Sequence, residues 1–158
     1  MVGIDMMARG IVIRAADIGD ADAMLCLEQE CFDVEAFSIH QLRYLINTGT
    51  SLSYVAEYNG GIAGFIIGIT SRNRSGKYGR IYTLDVGRDF RRMGVATALV
   101  ESLLDGFKKC GCSRCFLEVR MDNARALSLY EKLGFERKYV IPDYYAPGVH
   151  AIKMKKHL

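Results

Sequence analysis

The chain has 158 residues, a length typical of one domain that can bury a hydrophobic core. Half of the residues are apolar and a quarter are charged, as in ordinary globular proteins, and the net charge of +3 is too small to argue for nucleic-acid binding. The longest apolar run, residues 62–70, is too short to span a bilayer. Because no basic segment followed by an apolar one opens the chain, we expect no signal peptide and a cytoplasmic protein.

The first half of the chain predicts one strand, two helices and a hairpin. Asp17 and Ser38 each precede an apolar helical pattern and can cap its N-terminus. Asn59-Gly60 separates two apolar runs and favours a type I′ turn, the strongest local signal in the sequence. The predicted elements are a loose tail at 1–9, a strand at 11–15, helices from Asp17 to about Glu30 and from Ser38 to about Asn47, and strands at 52–58 and 62–70.

A polar segment and a further strand follow the hairpin. Residues 71–79 contain three basic side chains and Gly76, and we expect a mobile loop. The strand that follows ends at Val86 and alternates in polarity. Its even-numbered residues from 82 to 86 should therefore point to one face, and its odd-numbered residues from 81 to 85 to the other.

The segment RRMGVA, residues 91–96, joins this strand to a helix whose apolar period begins at Ala96 and ends before Gly111. The N-terminus of a helix presents unpaired backbone N–H groups and partial positive charge, and Gly94 lets an anion approach the backbone closely. The segment is neither a Walker loop nor a G-x-G-x-x-G fingerprint. It fits a phosphate site, and it equally fits a plain basic turn.

The second half of the chain predicts three strands and one helix. Asp122 or Asn123 can open the helix, and Gly134 can end it. Hairpins mixed with strand–helix–strand crossovers predict an α/β fold with one mixed sheet flanked by helices, in a single domain over residues 1–158. The predicted elements are strands at 114–120, 135–140 and 150–155, a helix from Asn123 to Gly134, and a loop at 142–149.

The cysteine spacing C-x-C-x-x-C at Cys110, Cys112 and Cys115 could indicate a metal site. Cys115 opens an apolar strand, however, and no fourth cysteine or histidine lies nearby in the sequence. We therefore expect free thiols and no metal.

Two motifs resemble the GNAT acetyltransferase superfamily. Arg91-x-x-Gly94-x-Ala96, directly after a strand ending in Leu-x-Val, is similar to its acetyl-CoA signature. The pattern LEVR-x-x-N-x-x-A-x-x-L-Y-E-K-L-G-F, residues 117–135, resembles the RimI/Ard-type protein N-α-acetyltransferases almost position for position. Further matches are Cys31-Phe32, Ala36-Phe37-Ser38, Tyr144-Tyr145 and the final A-I-K-M. The resemblance covers nearly the whole chain and implies the GNAT fold, with a mixed, mostly antiparallel central sheet.

The resemblance also implies acetyl-CoA as co-substrate, without a metal. It places the pantetheine along the backbone of the strand end and the pyrophosphate on the loop and helix that follow. One backbone N–H of the strand would polarise the thioester carbonyl. The implied cofactor-binding residues are Leu84, Asp85, Val86, Arg91, Arg92, Met93, Gly94, Val95, Ala96, Thr97, Asn123 and Tyr130. For Asn123 the alternative is a plain N-cap.

Three residues are candidates for proton transfer. Glu118 matches the general base of the family, and its alternative is a surface carboxylate paired with Arg114 or Arg120. Glu35 is a rival base in the loop between the first two helices, although its flanks depart from the Pro-Glu-Asn-Tyr of related enzymes. Tyr130 matches the residue that protonates the leaving thiolate; otherwise it is a half-buried helical tyrosine. A weak base suffices because an α-amine has a pKa of about 7.7–8.0, against about 10.4 for lysine.

On the substrate side, the sequence both matches the family and departs from it. Tyr144 and Tyr145 match paired tyrosines that bond a peptide backbone, and the alternative is loop packing. The family has Gly-Glu-Asp-Ala where this chain has Gly-Val-His-Ala at 148–151, so the acidic pair is lost and the substrate preference is open. The implied substrate-binding residues are Phe32, Glu35, Phe37, Tyr144 and Tyr145.

The predicted function is acetyl transfer from acetyl-CoA to the N-terminal α-amine of a protein or peptide, in a ternary complex. A ribosomal protein is one candidate substrate, and we expect no direct nucleic-acid or membrane partner, and a monomer or homodimer. Cys31 or Cys115 as an acyl carrier stays open. The alternatives are a small-amine or lysine acetyltransferase of the same fold, and a non-catalytic acyl-CoA-binding or RNA-associated module that uses the basic residues of the loops at 72–77 and 91–92.

Overall fold

The computed structural model describes residues 10–32 and 36–158, so the expected tail at 1–9 and the candidate Glu35 lie outside the described residues. The elements, in chain order, are β1 Ile11–Ala15, α1 Ala21–Cys31, α2 Ile39–Asn47, β2 Ser51–Tyr58, β3 Gly61–Asn73, β4 Gly76–Val86, α3 Val95–Lys109, β5 Arg114–Arg120, α4 Ala124–Lys132, β6 Glu136–Ala146 and β7 Val149–His157. Two 3₁₀ turns, Ile18–Asp20 and Arg88–Phe90, precede α1 and α3.

The strands form one seven-stranded sheet in the order β1-β2-β3-β4-β5-β7-β6. Every neighbouring pair is antiparallel except β4 and β5, which run parallel. The expected mixed, mostly antiparallel sheet is therefore confirmed. In the described part of the chain, no helix has the length and apolar character that a membrane crossing requires.

Helices cover both faces of the sheet and create two hydrophobic clusters. On one face the apolar sides of α3 and α4, including Leu103, Phe107 and Leu127, pack with the inner residues of β3, β5 and β7. On the other face α1 and α2 pack Met24 and Leu42 against β2 and β3 in a smaller cluster. Among residues 10–32 and 36–158, no helix packs on that face of β5, β6 and β7.

The local signals in the sequence hold. Ser38 accepts a hydrogen bond from Gln41 N and Asn123 from Ala126 N, so each caps its helix as predicted, whereas Asp17 accepts from Gly19 N and caps the 3₁₀ turn that leads into α1. Asn59 and Gly60 both have positive φ, 47° and 78°, as a type I′ turn requires.

Two predicted loops are wrong, because strands run through them. β3 and β4 continue outward as a hairpin that closes at Asn73 and Gly76, so residues 71–79 are mostly strand. Arg114 on β5 holds the tip, donating to Asn73 Oδ1 at 2.6 Å and to the carbonyl of Ser75 at 3.1 Å. β6 likewise runs to Ala146, although its ladder with β7 is interrupted over residues 142–145.

A β-bulge in β4 makes the prediction of strictly alternating faces wrong. Ile67 pairs with Thr83 and Gly68 with Ile81, so Tyr82 is an extra residue on β4. The bulge turns Ile81 toward α3, where it joins the larger cluster, whereas Thr83 contacts Glu28 on α1. Ile81 and Thr83 therefore lie on opposite faces, not on one face as strict alternation predicts.

Candidate active site

The parallel pair β4–β5 opens into a cleft beyond the bulge. The two strands pair only through Gly79 with Cys115 and Arg80 with Phe116. Past these residues the strands diverge, and the space between them continues as two cavities. The C-terminal half of β4 therefore borders the cleft on its β5 side.

The first cavity has a volume of about 630 Å³ and lies at the N-terminus of α3. Ala98 N makes the first intrahelical bond, to Gly94 O, which leaves the N–H groups of residues 95–97 without helical acceptors. Gly94 has φ 81°, a left-handed conformation that glycine adopts without strain. Arg91 and Arg92 also line this cavity, so it offers amides, a helix dipole and two guanidinium groups to an anion.

The second cavity has a volume of about 400 Å³ and contains the candidate groups for proton transfer. Glu118 lies on β5 and Tyr130 on α4, and both face this cavity. Phe32, Phe37, Tyr144 and Tyr145 form its outer wall. The two cavities share Phe32, Leu84, Asn123 and Ala126, so they form one continuous passage between the strands.

Glu118 is held by two cations from neighbouring strands. Arg80 donates Nε to Oε2 at 3.0 Å, and its Nη2 lies 3.0 Å from Oε1. Lys153 Nζ donates to Oε1 at 3.0 Å, and the Glu118 side chain is 8% exposed. The partners expected from sequence are engaged elsewhere, Arg114 with the hairpin tip and Arg120 with Asp122. These three contacts use three of the about four acceptor positions of the carboxylate, and Glu118 also lines the cavity.

Tyr130 is buried in the wall of the passage. Its ring packs edge-on against Phe135, with centroids 5.5 Å apart, and 6% of the residue is exposed. Burial raises the pKa of Tyr130, so its hydroxyl keeps its proton at neutral pH and can act as a donor. It is a fully packed residue rather than the half-buried one of the alternative interpretation.

The tyrosines of the β6–β7 hairpin reach back over the cleft. Four residues of β6, 142–145, face the single residue His150, because the ladder passes from Ile141–Ala151 to Ala146–Val149. The Tyr144 hydroxyl accepts from Arg80 Nη2 at 2.9 Å, and the Tyr145 hydroxyl donates to the Glu118 carbonyl at 3.3 Å. His150 Nδ1 accepts from Asp143 N at 2.9 Å and so fixes the bulged segment.

Two buried carboxyl groups, Glu28 and Asp85, lie close together at β4. The sequence did not predict this pair. Thr83 Oγ1 is 3.1 Å from Glu28 Oε1 and 2.7 Å from Asp85 Oδ1. A hydroxyl donates only one proton, so the second contact requires a proton on a carboxyl. Burial, together with the hydrogen bond and charge of Glu28, raises the pKa of Asp85 to about 9. Glu28 also accepts from Phe37 N at 3.1 Å, which ties this pair to the segment after residues 33–35.

The passage brings most of the predicted residues together. The exceptions among the described cofactor residues are Asp85, which is buried away from the passage, and Met93, which packs on the core. Residues that the motifs did not indicate also line it, namely Glu28, Arg80, Thr83, Phe90, Arg125 and Leu129. Arg80 lies 38 residues from Glu118, and only the strand order could have revealed it.

All five cysteines are free thiols. Burial raises the pKa of Cys31, and it raises the pKa of Cys115 to about 12, which disfavours both thiolates as acyl carriers. Within residues 10–32 and 36–158, no cluster of three or more His, Cys, Asp or Glu side chains is arranged to bind a metal.

The sequence and the fold both match known proteins. The family model for acetyltransferase (GNAT) matches residues 21–135. The N-alpha-acetyltransferase of Sulfurisphaera tokodaii is 33% identical over 155 residues, which cover 90% of this chain and 90% of that protein. The ribosomal-protein-S18-alanine N-acetyltransferase from Escherichia coli superposes with a TM-score of 0.80 at 28% identity, over 93% of each chain. The NatC complex bound to Gag peptide and CoA superposes with a TM-score of 0.84 at 28% identity, over 94% of this chain and 98% of that chain. This chain therefore belongs to the acetyltransferase (GNAT) family.

Proposed function

We propose that the protein transfers the acetyl group of acetyl-CoA to the N-terminal α-amine of a protein or peptide. The observation that carries this proposal is the continuous passage between β4 and β5. Its inner end is an anion site at the N-terminus of α3, and its outer end holds Glu118 and Tyr130. Two substrates can therefore enter from opposite ends and meet near Leu84, as direct transfer in a ternary complex requires.

The inner end fits the phosphates of CoA. Residues 91–97 supply backbone amides and arginine side chains. Leu84 and Asn123 line the passage between this end and the outer end. Beyond Arg80 the strand β4 has no ladder with β5, so a backbone N–H there can polarise the thioester carbonyl. This arrangement binds and orients the thioester.

The outer end supplies two proton-handling groups. The amine lone pair attacks the thioester carbon, the C–S bond breaks, and the sulfur leaves as a thiolate. Glu118 accepts the proton that the amine loses, directly or through water, and Tyr130 donates a proton to the thiolate. Glu35 stays in our proposal as a second candidate base.

The substrate class rests on the outer wall and on the relatives. Tyr144 and Tyr145 offer hydroxyl groups at the cleft, where a peptide backbone would lie. The similar proteins include an N-alpha-acetyltransferase and a ribosomal-protein-S18-alanine N-acetyltransferase. We infer a cytoplasmic enzyme with one domain over residues 1–158, and ribosomal proteins are among its candidate substrates.

Steady-state acetylation of a peptide panel tests the proposal. The peptides share one sequence but differ in their first two residues, and one member is N-blocked and contains lysine. We expect turnover only on free α-amines, and a fall of kcat of about 10²-fold or more for Glu118→Gln. Glu101→Gln on the exposed side of α3 is the matched control and should behave as wild type.

Each contrary result points to a different alternative. Turnover on the blocked lysine peptide would identify a lysine acetyltransferase. Full turnover in Glu118→Gln would move the base to Glu35 or to water. Binding of acetyl-CoA without turnover on any amine would favour a non-catalytic module and would refute the proposal.

A further inference from the structure

Cations and aromatic rings share the open face of the sheet next to the cleft. Phe116 lies at the centre, and the Tyr78 ring meets it edge-on with centroids 5.5 Å apart. The Nζ atoms of Lys153 and Lys155 lie 5.1 Å and 5.8 Å from the Phe116 centroid, and the Arg114 guanidinium lies 5.7 Å from it. We call this surface the basic–aromatic strip; its members are Tyr78, Arg80, Arg114, Phe116, Lys153 and Lys155.

The strip faces away from α3. On β5, Cys115 and Leu117 belong to the core cluster that also contains the apolar side of α3. Because side chains alternate along a strand, Phe116 and Glu118 point to the opposite face. Lys155 pairs with Phe116 in the ladder, and Lys153 pairs with Glu118, which places both lysines on that same face. The helices α1 and α2 pack over β2 and β3, not over this part of the sheet.

Positive charge exceeds negative charge along the strip. Arg80 and Lys153 share the single carboxylate of Glu118. Arg114 is only 7% exposed and its donors go to a carbonyl and an amide oxygen, so among the described residues its charge has no acidic partner and acts from beneath the rings of Tyr78 and Phe116. Glu136 stands opposite Lys155 but forms its ion pair with Lys138. The strip therefore carries a net positive charge and is complementary to carboxylates.

The strip is continuous with the outer end of the passage. Arg80 and Glu118 belong to both, since they also line the second cavity. A strand rises about 3.3 Å per residue, so Phe116 and Lys155 lie about 7 Å beyond Glu118, and Arg114 about 13 Å beyond it. An extended peptide with its first residue in the cleft would cover this distance with about four further residues.

We propose that the basic–aromatic strip binds acidic side chains that follow the N-terminus of the substrate. This inference rests on the proposed function and names its substrate class: proteins with Asp or Glu at about positions three to five. Lys155 and Lys153 pair with the carboxylates, while Phe116 and Tyr78 pack against the peptide. The strip extends about 13 Å from Glu118, which is the length of about four extended peptide residues. A nucleic-acid site that makes six to ten phosphate contacts would need a longer surface.

Matched peptides test the proposal through KM. Two peptides share their first two residues and differ at positions three to five, which are Asp in one and Ser in the other. At low ionic strength we expect the KM of the Asp peptide to be about 5–20-fold lower, with similar kcat, and the gap to shrink as salt rises. Lys155→Glu should close or reverse the gap, whereas Lys108→Glu on α3 should leave it unchanged.

A second measurement separates the failure of this inference from the failure of the proposed function. The same peptides, N-acetylated and fluorescently labelled, report binding by anisotropy without any turnover. Equal affinity for the Asp and Ser peptides, or a preference that Lys155→Glu does not alter, would overturn the inference even if both peptides are acetylated. Loss of single-stranded oligo-uridine binding in Lys155→Glu, without change in peptide KM, would identify a nucleic-acid surface and would also overturn it.

Discussion

Asp85→Asn should remove a loss of stability that the wild-type protein undergoes as pH rises. Asp85 is 1% exposed beside Glu28, and burial in that position raises its pKa from 3.8 to about 9. In the unfolded chain the carboxyl ionises near its ordinary pKa. Between the two pKa values the folded protein therefore binds one proton more than the unfolded chain does, and the free energy of unfolding falls as pH rises through that window.

The magnitude follows from the proton count. One proton of difference changes the free energy of unfolding by about 1.4 kcal/mol per pH unit, so the effect between about pH 5 and about pH 8 has a ceiling of about 4 kcal/mol. An amide has the shape of the protonated carboxyl and can accept from Thr83, and its NH₂ group would stand in place of Oδ2, which has no hydrogen-bond partner among the described residues, so the substitution removes the titration and keeps the Thr83 contact. We expect similar stabilities only below about pH 4, and we expect the variant's advantage in the free energy of unfolding to grow by about 1–4 kcal/mol between pH 5 and pH 8.

Urea unfolding followed by far-UV circular dichroism, at steps of pH, measures this difference. Asp89→Asn is the control, because Asp89 is exposed in the turn before α3 and its substitution should give no pH-dependent difference. If the difference between Asp85→Asn and wild type is constant across pH, or if the variant is less stable throughout, the two buried carboxyls do not share a proton and the reasoning is refuted.

Two further substitutions test the packing and the mechanism. Gly79→Ala should lower the free energy of unfolding by about 1–3 kcal/mol, because a Cβ there would lie 2.4 Å from ring carbons of the buried Phe107. Gly49→Ala, with no atom within 4 Å of its Cβ, is its control, and equal urea midpoints would show that the sheet–helix contact adapts. Cys31→Ser should keep kcat within about twofold in the peptide assay, whereas a loss of about 10²-fold would indicate an acyl-cysteine intermediate on Cys31.

Features that depend on a few neighbouring residues could be predicted from the sequence. The caps at Asp17 and Ser38 and the turn at Asn59-Gly60 each need only side chains within four positions, and all three are made. The loop prediction for residues 71–79 is wrong because polar composition favours a loop, whereas the residue that stabilises this hairpin is distant in sequence. Arg114 on β5 stabilises the hairpin tip through Asn73, across 41 residues of chain.

The faces of β4 show a second limit of local patterns. Alternation assumes an uninterrupted strand, and a bulge is defined only by register against the neighbouring strand. Tyr82 is the extra residue opposite the step from Ile67 to Gly68, and nothing in its own sequence identifies it. The bulge lets Thr83 face Glu28, and it lies directly beyond Arg80, the last residue of β4 that pairs with β5.

The environment of Glu118 shows why the contacts of a residue on a sheet can be predicted only when the order of the strands is known. The sequence offered Arg114 and Arg120, which lie on the same face of β5, but residues two apart on a strand are about 6.6 Å apart while neighbouring strands are about 4.8 Å apart. Arg80 on β4 and Lys153 on β7 are therefore the partners. In our proposal, Glu118 accepts a proton from the substrate amine, directly or through water. An α-amine of pKa about 7.7–8.0 gives up that proton near neutral pH far more easily than a lysine of pKa about 10.4. The lower pKa of an α-amine therefore favours a protein N-terminus over a lysine side chain as substrate, and a weak base suffices.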